Sequence, residues 1–369
     1  MSDLHAWEFD LESYIHEGEP DRAKRADAWQ TAIGLQAVDG LKTSEYLLDT
    51  ARNHIEGAIT IDEAQARIQS YYEERANRKD RVAEDTREGD VVSSRIARIL
   101  GERAFTFSPA QLRSIHTTLF EGLLAMPGEY RPYNITKKEW VLKGDTVLYA
   151  PADSIEAALD YDFSRERTFS YRSLSKETSV HHIASFISGI WQVHPFCEGN
   201  TRTTAVFAIK YLASRGFEVD NEPFKKHSWY FRNALVRANY ENLETGVHAT
   251  GRYLDLFFDN LLLGTYHELR NRYLHLDWHE GTSDDLITAP QVTQQVTPQV
   301  TPQVESLVSE LGEEELGLRE LMDRLGLKDR NNFTKNYLAP ALAAGLIERT
   351  IPDKPTSRLQ RYRRRRGTS

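Results

Sequence analysis

The sequence predicts a mainly helical body that carries one β-hairpin, followed by a small C-terminal α+β module. Three observations predict this fold class: apolar residues recur at helical spacing over most of the body, strand-like segments are sparse, and a proline-containing repeat separates the two parts. With 369 residues, 40% hydrophobic and 27% charged, the chain has room for two or three domains with buried cores. This composition excludes a fibrous or wholly disordered protein.

Four successive regions are expected along the chain. An N-terminal helical region contains an amphipathic helix near residues 43–57, where Leu48, Ala51 and Ile55 recur at helical spacing. The full division is an N-terminal region at 1–100, a core at 101–275, a linker at 282–304 and a C-terminal module at 305–369.

The two clearest helices of the core flank a short loop. Residues 178–193 place six apolar side chains on one stripe, and a second stripe follows the loop and ends before Gly216, which favours helix termination. The clearest strand signal is a hairpin in which Glu139–Leu142 and Thr146–Tyr149 flank a Lys-Gly-Asp turn.

A period-four repeat runs from Pro290 to Glu305 and reads Pro-Gln-Val-Thr in its complete copies. Proline blocks a helix there, so an extended, semi-rigid linker is expected. Charge also divides the chain. Lys328–Arg366 carries 11 basic and 3 acidic residues, a net charge of +8. Because the whole chain has a net charge of −9, the remainder carries −17. An acidic body with a basic tail suggests two kinds of partner, although a solvated terminus would also explain the arginine run.

Neither a disulfide framework nor a membrane span is expected. Cys197 is the single cysteine, which excludes an internal disulfide and a multi-cysteine zinc site, and a structural role is favoured over a nucleophilic one. The most apolar stretch, Tyr253–Leu263, is interrupted by Asp255 and Asp259. Together with an N-terminus that lacks a signal-like segment, this predicts a soluble, cytoplasmic protein.

The loop between the two core helices carries a set of chemically active residues. Pro195 is expected to end the first helix, and Asn200 to cap the second. A loop that leads into a helix N-terminus presents backbone N–H groups and the positive dipole end to an anion. His194 suits a general base, Glu198 a ligand for Mg²⁺, and Arg202 a donor to phosphate oxygens, which is the set required for phosphoryl or nucleotidyl transfer.

These residues resemble the Fic family motif His-x-Phe-x-(Asp/Glu)-Gly-Asn-Gly-Arg-x-x-Arg, six of whose eight specified positions match His194, Phe196, Glu198, Gly199, Asn200 and Arg202. The resemblance implies a helical core that transfers AMP from ATP to a Ser, Thr or Tyr hydroxyl. It implies that His194 deprotonates that hydroxyl and that Glu198 holds Mg²⁺. It also implies an anion cradle formed by Gly199, Asn200 and Thr201 and completed by Arg202. The hairpin is implied to be a flap that pairs with the backbone of the target protein.

Two positions depart from the motif and leave the nucleotide open. Thr201 replaces the second glycine, and Ala205 replaces the second arginine. Transfer of UMP, GMP or phosphate, and removal of AMP, therefore remain alternatives. Tyr230 and Phe231 resemble a segment that stacks on adenine in some members, although an ordinary core position would explain them equally well.

Glu56 and Gly57 resemble the end of the family's inhibitory motif, Ser/Thr-x-x-x-Glu-(Gly/Asn), with Arg52 in place of the hydroxyl residue. The resemblance implies that Glu56 enters the site and restrains transfer, here by pairing with Arg202. A surface glutamate without this role is the alternative.

The C-terminal module reads as three helices and a two-stranded wing, at Val304–Leu311, Leu318–Leu325, Asn331–Ala344, Ile347–Ile351 and Leu359–Arg363. It resembles winged-helix domains, which implies contact with DNA or with protein. The expected partners are ATP and a protein hydroxyl that can be the chain's own, with Mg²⁺ as cofactor; a homodimer is left open. A DNA-binding regulator whose core only senses nucleotide is the rival from another class.

Overall fold

The computed structural model describes residues 20–77, 81–279, 296–298, 302–312, 314–343, 346–352, 357 and 359–365. The body is helical, as predicted, and its helices are α1 Pro20–Gly34, α2 Glu45–Ile55, α3 Ile61–Asn77, α4 Arg81–Gly101, α5 Pro109–Phe120, α6 Ile155–Thr168, α7 Lys176–Val193, α8 Asn200–Ser214, α9 Glu222–Ala238 and α10 Arg252–Leu262. A 3-10 turn, Leu35–Asp39, follows α1 directly. The main core is one apolar cluster that extends from α1 to the segment after α10.

Helices α7 and α8 confirm the two central predictions of helical periodicity. Helix α7 begins two residues earlier than predicted because the Thr178 N–H donates to Ser175 Oγ, 3.1 Å away, which makes Ser175 the N-cap. Helix α8 ends before Gly216, whose φ of +83° favours glycine. Helix α4 packs on α1 and α8, and α9 packs on α1 and α10. Among the described helices, none is long and apolar enough to cross a membrane.

The predicted hairpin reverses direction where expected, but its two strands do not form. Residues 139–142 contain a 3-10 turn, Trp140–Leu142, and 146–149 have no strand. The Glu139 carboxylate lies 2.7 Å from the Arg232 guanidinium of α9, and both side chains are buried. This ion pair holds the segment against α9, and the reversal is closed by turn hydrogen bonds instead of a strand ladder.

The strand of this region lies just before the predicted hairpin and has an unexpected partner. Strand β1, Ile135–Lys137, pairs antiparallel with β2, Val296–Pro298, from the repeat. The repeat was predicted to be an extended linker, and the three residues of it described here are extended. The rest of the 282–301 segment lies outside the described residues.

The C-terminal module has its own apolar cluster. Its elements are α11 Pro302–Leu311, β3 Leu316–Gly317, α12 Leu318–Arg324, α13 Arg330–Phe333, a π-helical turn Thr334–Leu338, α14 Ala339–Ala343, β4 Ile347–Arg349 and β5 Arg361–Arg364. The strands form an antiparallel sheet in the order β3–β5–β4. The three predicted helical segments and two wing strands are therefore present, and β3 is an addition. The turn at 353–356 and Arg366 lie outside the described residues.

Candidate active site

The motif loop connects α7 to α8 and is held by Arg131. Its Nε donates to the His194 carbonyl at 2.8 Å, and its backbone N–H donates to the Pro195 carbonyl at 2.8 Å. The guanidinium also donates to the carbonyls of Val193 and Tyr133. A buried guanidinium with several carbonyl partners fixes the loop where helical hydrogen bonding stops. Arg131 therefore positions the loop.

Gly199 is required at the start of α8 for two reasons. Its φ is +70°, and a Cβ atom at this position would lie 2.3 Å from Cε2 of Phe120. The predicted N-cap was Asn200, but Gly199 is the N-cap and Asn200 is the first helical residue. The Asn200 amide instead closes the loop, because its Oδ1 accepts from the Phe196 N–H at 2.9 Å and its Nδ2 donates to the Phe196 carbonyl at 2.7 Å.

His194 lies at the end of α7 in a left-handed conformation with φ of 49° and is 2% exposed. Its Nδ1 lies 3.3 Å from the Trp191 carbonyl, an acceptor, so this nitrogen carries the proton and Nε2 keeps its lone pair. Burial lowers the pKa of His194 well below its ordinary value, and the positive charges of Lys137 and Arg131 lower it further. The imidazole is therefore neutral near pH 7, as a general base must be.

His116 of α5 supports the loop and was not predicted from the sequence. Its ring stacks on Phe196, with centroids 3.8 Å apart, and Phe196 is buried, as expected of a core anchor. The Gly128 N–H donates to Nδ1 at 2.7 Å, so Nε2 carries the proton and donates to the Glu198 carbonyl at 3.0 Å. Burial lowers the pKa of His116 to about 4, which keeps this tautomer neutral.

The side chains of the site surround a narrow cavity. It is lined by Asp39, Lys137, His194, Glu198, Gly199, Asn200 and Thr201. Five of these seven are residues that the motif predicted, whereas Asp39 and Lys137 come from distant parts of the chain. The cavity leaves no room for even a water molecule, whereas typical ligand sites enclose ~300–1,000 Å³, so a nucleotide requires it to open.

Glu198 is exposed at this cavity and is the one motif residue suited to Mg²⁺. Desolvation raises the pKa of its carboxyl group, while the charge of Lys137 opposes that rise. Among the described residues, no three His, Cys, Asp or Glu side chains cluster as a metal site. A single carboxylate fits Mg²⁺ that is held mainly by substrate phosphates, which is the usual coordination of this ion in phosphoryl-transfer sites.

Arg202 is buried and already paired with carboxylates. Its Nε lies 2.8 Å from Asp39 Oδ2, and its Nη2 lies 2.6 Å from Glu88 Oε1 of α4. Gln36 accepts a third hydrogen bond from Nη1 at 3.1 Å. Burial would raise the pKa of Asp39, but the charges of Arg202 and Lys137 hold it below its ordinary value. Two carboxylates therefore occupy the group predicted to bind the outer phosphates.

Both departures from the motif point into the protein. The Trp191 indole N–H donates to Thr201 Oγ1 at 2.9 Å, so this side chain has a buried hydrogen-bond partner. Ala205 is fully buried in α8. The threonine hydroxyl is thus hydrogen-bonded within the protein.

Two of the site predictions were wrong. Tyr230 and Phe231, expected to stack on adenine, are at most 1% exposed and pack against Phe257. Glu56, expected to enter the site, lies on the surface at the end of α2, where its carboxylate is 2.5 Å from Arg22. The reason is the same in both cases: the local pattern suits an aromatic core or a surface helix end as well as a binding site, and packing decides between them.

The residues that the sequence missed are Asp39, Glu88, Lys137 and His116. None of them belongs to a local motif, and each reaches the site from a separate element.

Comparison with solved structures returned Fic proteins at low similarity. A Fic family protein from Desulfovibrio desulfuricans G20 has 19% identity and a TM-score of 0.39, covering 99% of this chain and 98% of its own. BepC from Bartonella tribocorum, with bound AMPPNP, has 19% identity and a TM-score of 0.33, covering 42% and 74%. The N-terminal Fic domain of a cell filamentation protein from Bartonella quintana, with bound ADP, has 21% identity and a TM-score of 0.33, covering 47% and 84%.

Comparison with curated proteins found no match. Family models match two separate segments: residues 106–212 match the Fic/DOC family, and residues 302–364 match the C-terminal domain of Fic-like proteins, described as filamentation induced by cAMP. The first segment contains β1 and the whole motif loop, and the second contains the C-terminal module. Residues 106–212 therefore carry a Fic/DOC domain, and residues 302–364 match the C-terminal domain of Fic-like proteins.

Proposed function

We propose that this protein is an adenylyltransferase that moves AMP from ATP to a Ser, Thr or Tyr hydroxyl of a protein. The observation that carries the proposal is His194, a neutral and buried imidazole whose Nε2 lone pair is available beside the N-terminus of α8. In the reaction, Nε2 accepts the hydroxyl proton as the oxygen attacks the α-phosphorus. The bond from that phosphorus to the bridging oxygen breaks, and pyrophosphate leaves.

The start of α8 supplies the anion site for this reaction. The first N–H groups of a helix have no partner within the helix, and the positive end of its dipole lies at the same point. The left-handed Gly199 and the amide of Asn200 fix the loop that leads into this helix. Glu198 would hold Mg²⁺ against the phosphates, and the ion would neutralise charge on the leaving pyrophosphate.

The described arrangement corresponds to a restrained enzyme. Arg202 is paired with Asp39 and Glu88, so a phosphate group must compete with two carboxylates for it. The 3-10 turn that carries Asp39 also lines the cavity, which is too small for a nucleotide. We assign the restraint to these two carboxylates, in place of Glu56.

Among the residues that the structure describes, the site gives no aromatic contact that selects one nucleobase of the substrate. With Tyr230 and Phe231 in the core, neither aromatic group that was expected to select adenine borders the site. Transfer of UMP, GMP or phosphate is therefore examined in the same experiment as transfer of AMP.

Contact with DNA through the C-terminal module is less favoured than the basic tail suggested. Arg363 lies 2.6 Å from Glu348 and 3.2 Å from Glu315, and Arg361 lies 3.5 Å from Glu320. These pairs reduce the positive potential of β5, so recognition of a protein fits this surface better than recognition of phosphates. The winged-helix interpretation itself agrees with the order of helices and strands.

The test is self-labelling with ATP, GTP or UTP, each labelled at the α-phosphate, in the presence of Mg²⁺. We expect label from ATP, and we expect His194→Ala to abolish labelling while binding of AMPPNP changes by less than several-fold. ATP labelled at the γ-phosphate provides the control for phosphate transfer. Equal loss of binding and labelling in the His194 variant would show a structural role for this residue, and label from another nucleotide would change the proposed substrate.

A further inference from the structure

Of the described residues that line the cavity, only Lys137 of β1 carries a permanent positive charge. We propose that its ammonium group binds the phosphates of the nucleotide and stabilises the charge on the leaving pyrophosphate. Arg202, which the motif assigns to the phosphates, is not among the described residues that line the cavity and is paired with Asp39 and Glu88. The inference rests on the proposed function, because it concerns the nucleotide on which His194 acts.

The Lys137 side chain is buried, and its charge has no partner within the described part of the chain. The residue is 7% exposed, and no described side chain accepts a hydrogen bond from its ammonium or forms an ion pair with it. The buried ammonium of Lys225, in contrast, lies 2.8 Å from Asp27 and 3.0 Å from Glu222. Because an isolated charge is costly to bury, an anion in the cavity would offset a cost that the folded protein carries.

Strand geometry brings Lys137 to the cavity. Successive residues of an extended segment point to opposite faces, and here Lys137 is buried whereas Lys138 is exposed. The Lys137 backbone N–H donates to Thr146 Oγ1 at 3.0 Å, which ties β1 to the segment that follows the reversal at 143–145. The lysine therefore reaches the cavity from a fixed backbone.

The charges around Lys137 leave room for an anion. Burial lowers the pKa of Lys137, and the charge of Arg232 lowers it further, while nearby carboxylates oppose that change. Two of these carboxylates belong to other ion pairs: Asp39 lies 2.8 Å from Arg202, and Glu139 lies 2.7 Å from Arg232. A phosphate beside the ammonium would supply a negative charge that is not shared in this way, and it would favour the protonated form.

The cavity combines two kinds of group that bind phosphates in proteins. Gly199, Asn200 and Thr201 line it at the start of α8, where the first N–H groups have no partner within the helix. The ammonium adds three donors and a compact positive charge. Glu198 also acts on Lys137 but would hold Mg²⁺, which leaves the ammonium to the phosphate oxygens. Negative charge grows on the pyrophosphate as its bond to the α-phosphorus breaks, and a fixed cation stabilises that charge.

Calorimetric titration of the full chain with pyrophosphate and with AMPPNP tests the assignment without catalysis. Lys137→Met removes the charge and keeps an unbranched side chain. We expect ~10–100-fold weaker binding of both probes, because hydrogen bonds between two charged groups are stronger than neutral ones. Lys138→Met is the matched control, since it makes the same change in net charge at the exposed neighbour. It should leave both affinities within about twofold, because water and salt screen an exposed charge.

Two further measurements separate binding of phosphate from a structural role. Lys137→Arg keeps a cation, so it should bind pyrophosphate more tightly than Lys137→Met. In urea unfolding without ligand, Lys137→Met should be at least as stable as the unaltered chain, since none of the described residues pairs with the ammonium. Saturating pyrophosphate should then raise the stability of the unaltered chain more than that of Lys137→Met.

Unchanged binding of both probes by Lys137→Met would overturn the assignment, and so would failure of the unaltered chain to bind pyrophosphate. Equal losses of binding in the methionine and arginine variants, or a loss of stability that accompanies the loss of binding, would show that shape or packing matters instead of charge. If no nucleotide labels the protein while Lys137→Met still binds pyrophosphate more weakly, the proposed function fails and Lys137 remains a phosphate ligand. Normal labelling with unchanged binding would give the reverse result.

Discussion

Replacing Gly199 with alanine should cost more stability than the same change at another left-handed glycine. Two terms contribute at Gly199. A non-glycine residue at φ of +70° costs ~1–2 kcal/mol. The new Cβ would also lie 2.3 Å from Phe120 Cε2 and 2.4 Å from its Cζ, and overpacking of this kind costs ~1–3 kcal/mol. The expected loss in the free energy of unfolding is therefore ~2–5 kcal/mol.

Gly216 provides the matched control for this prediction. It follows α8, its φ is +83°, and no atom lies within 4 Å of the position of its Cβ. Gly216→Ala should therefore lose only the conformational term, ~1–2 kcal/mol. A third variant combines Gly199→Ala with Phe120→Leu, which leaves more room for the Cβ. The combined loss should be smaller than the two separate losses added together.

The assay is urea unfolding at constant m-value, together with self-labelling by ATP. A loop displaced by about 1 Å should lower the labelling rate by ~10²-fold, because the imidazole and the α8 N-terminus would no longer align. Gly216→Ala should leave the rate nearly unchanged. Equal losses of stability in the two alanine variants, or no coupling to Phe120, would refute the argument that Gly199 is constrained by the Phe120 ring.

Three further predictions follow from charges and protonation in the site. The acidic limb of the labelling-rate profile should lie below pH 6.5, because burial lowers the pKa of His194 and the base stays deprotonated to lower pH; a limb at or above 6.5 would contradict this environment. Folding lowers the pKa of His116 from 6.5 to about 4, so as pH falls the unfolded chain binds the proton before the folded protein does. The free energy of unfolding should therefore be at its full value above pH 6.5 and decrease by ~3 kcal/mol as pH falls to 4. His116→Gln should remove that part of the pH dependence in urea unfolding, and an unchanged slope would disprove the neutral tautomer. The double variant Asp39→Asn, Glu88→Gln should bind AMPPNP about tenfold more tightly, because it frees Arg202, and should lose ~1–3 kcal/mol in the free energy of unfolding. Glu56→Gln should change neither quantity, and calorimetric titration with AMPPNP measures the difference in binding between the two variants.

Helical periodicity was sufficient to predict the elements that hold the motif. The helices now defined as α7 and α8 were predicted from apolar residues three and four apart, because one face of a helix is a local property of the sequence. The elements of the C-terminal module were predicted in the same way. The hairpin prediction failed in part, because its strands do not form and Glu139 makes a buried ion pair with Arg232 of α9 instead. Nothing within the hairpin sequence specifies that partner.

The sequence by itself determined the residues between α7 and α8 and the chemistry that they can carry. The order of His194, Glu198, Gly199 and Asn200 sets their spacing, and a loop before a helix N-terminus presents backbone N–H groups that suit an anion. The tertiary structure alone decided the state of that site. Asp39 and Glu88 reach it from residues far away in the chain, and their contacts depend on how helices pack. Burial and pairing of charges are properties of that packing, so they set the protonation of His194 and the availability of Arg202.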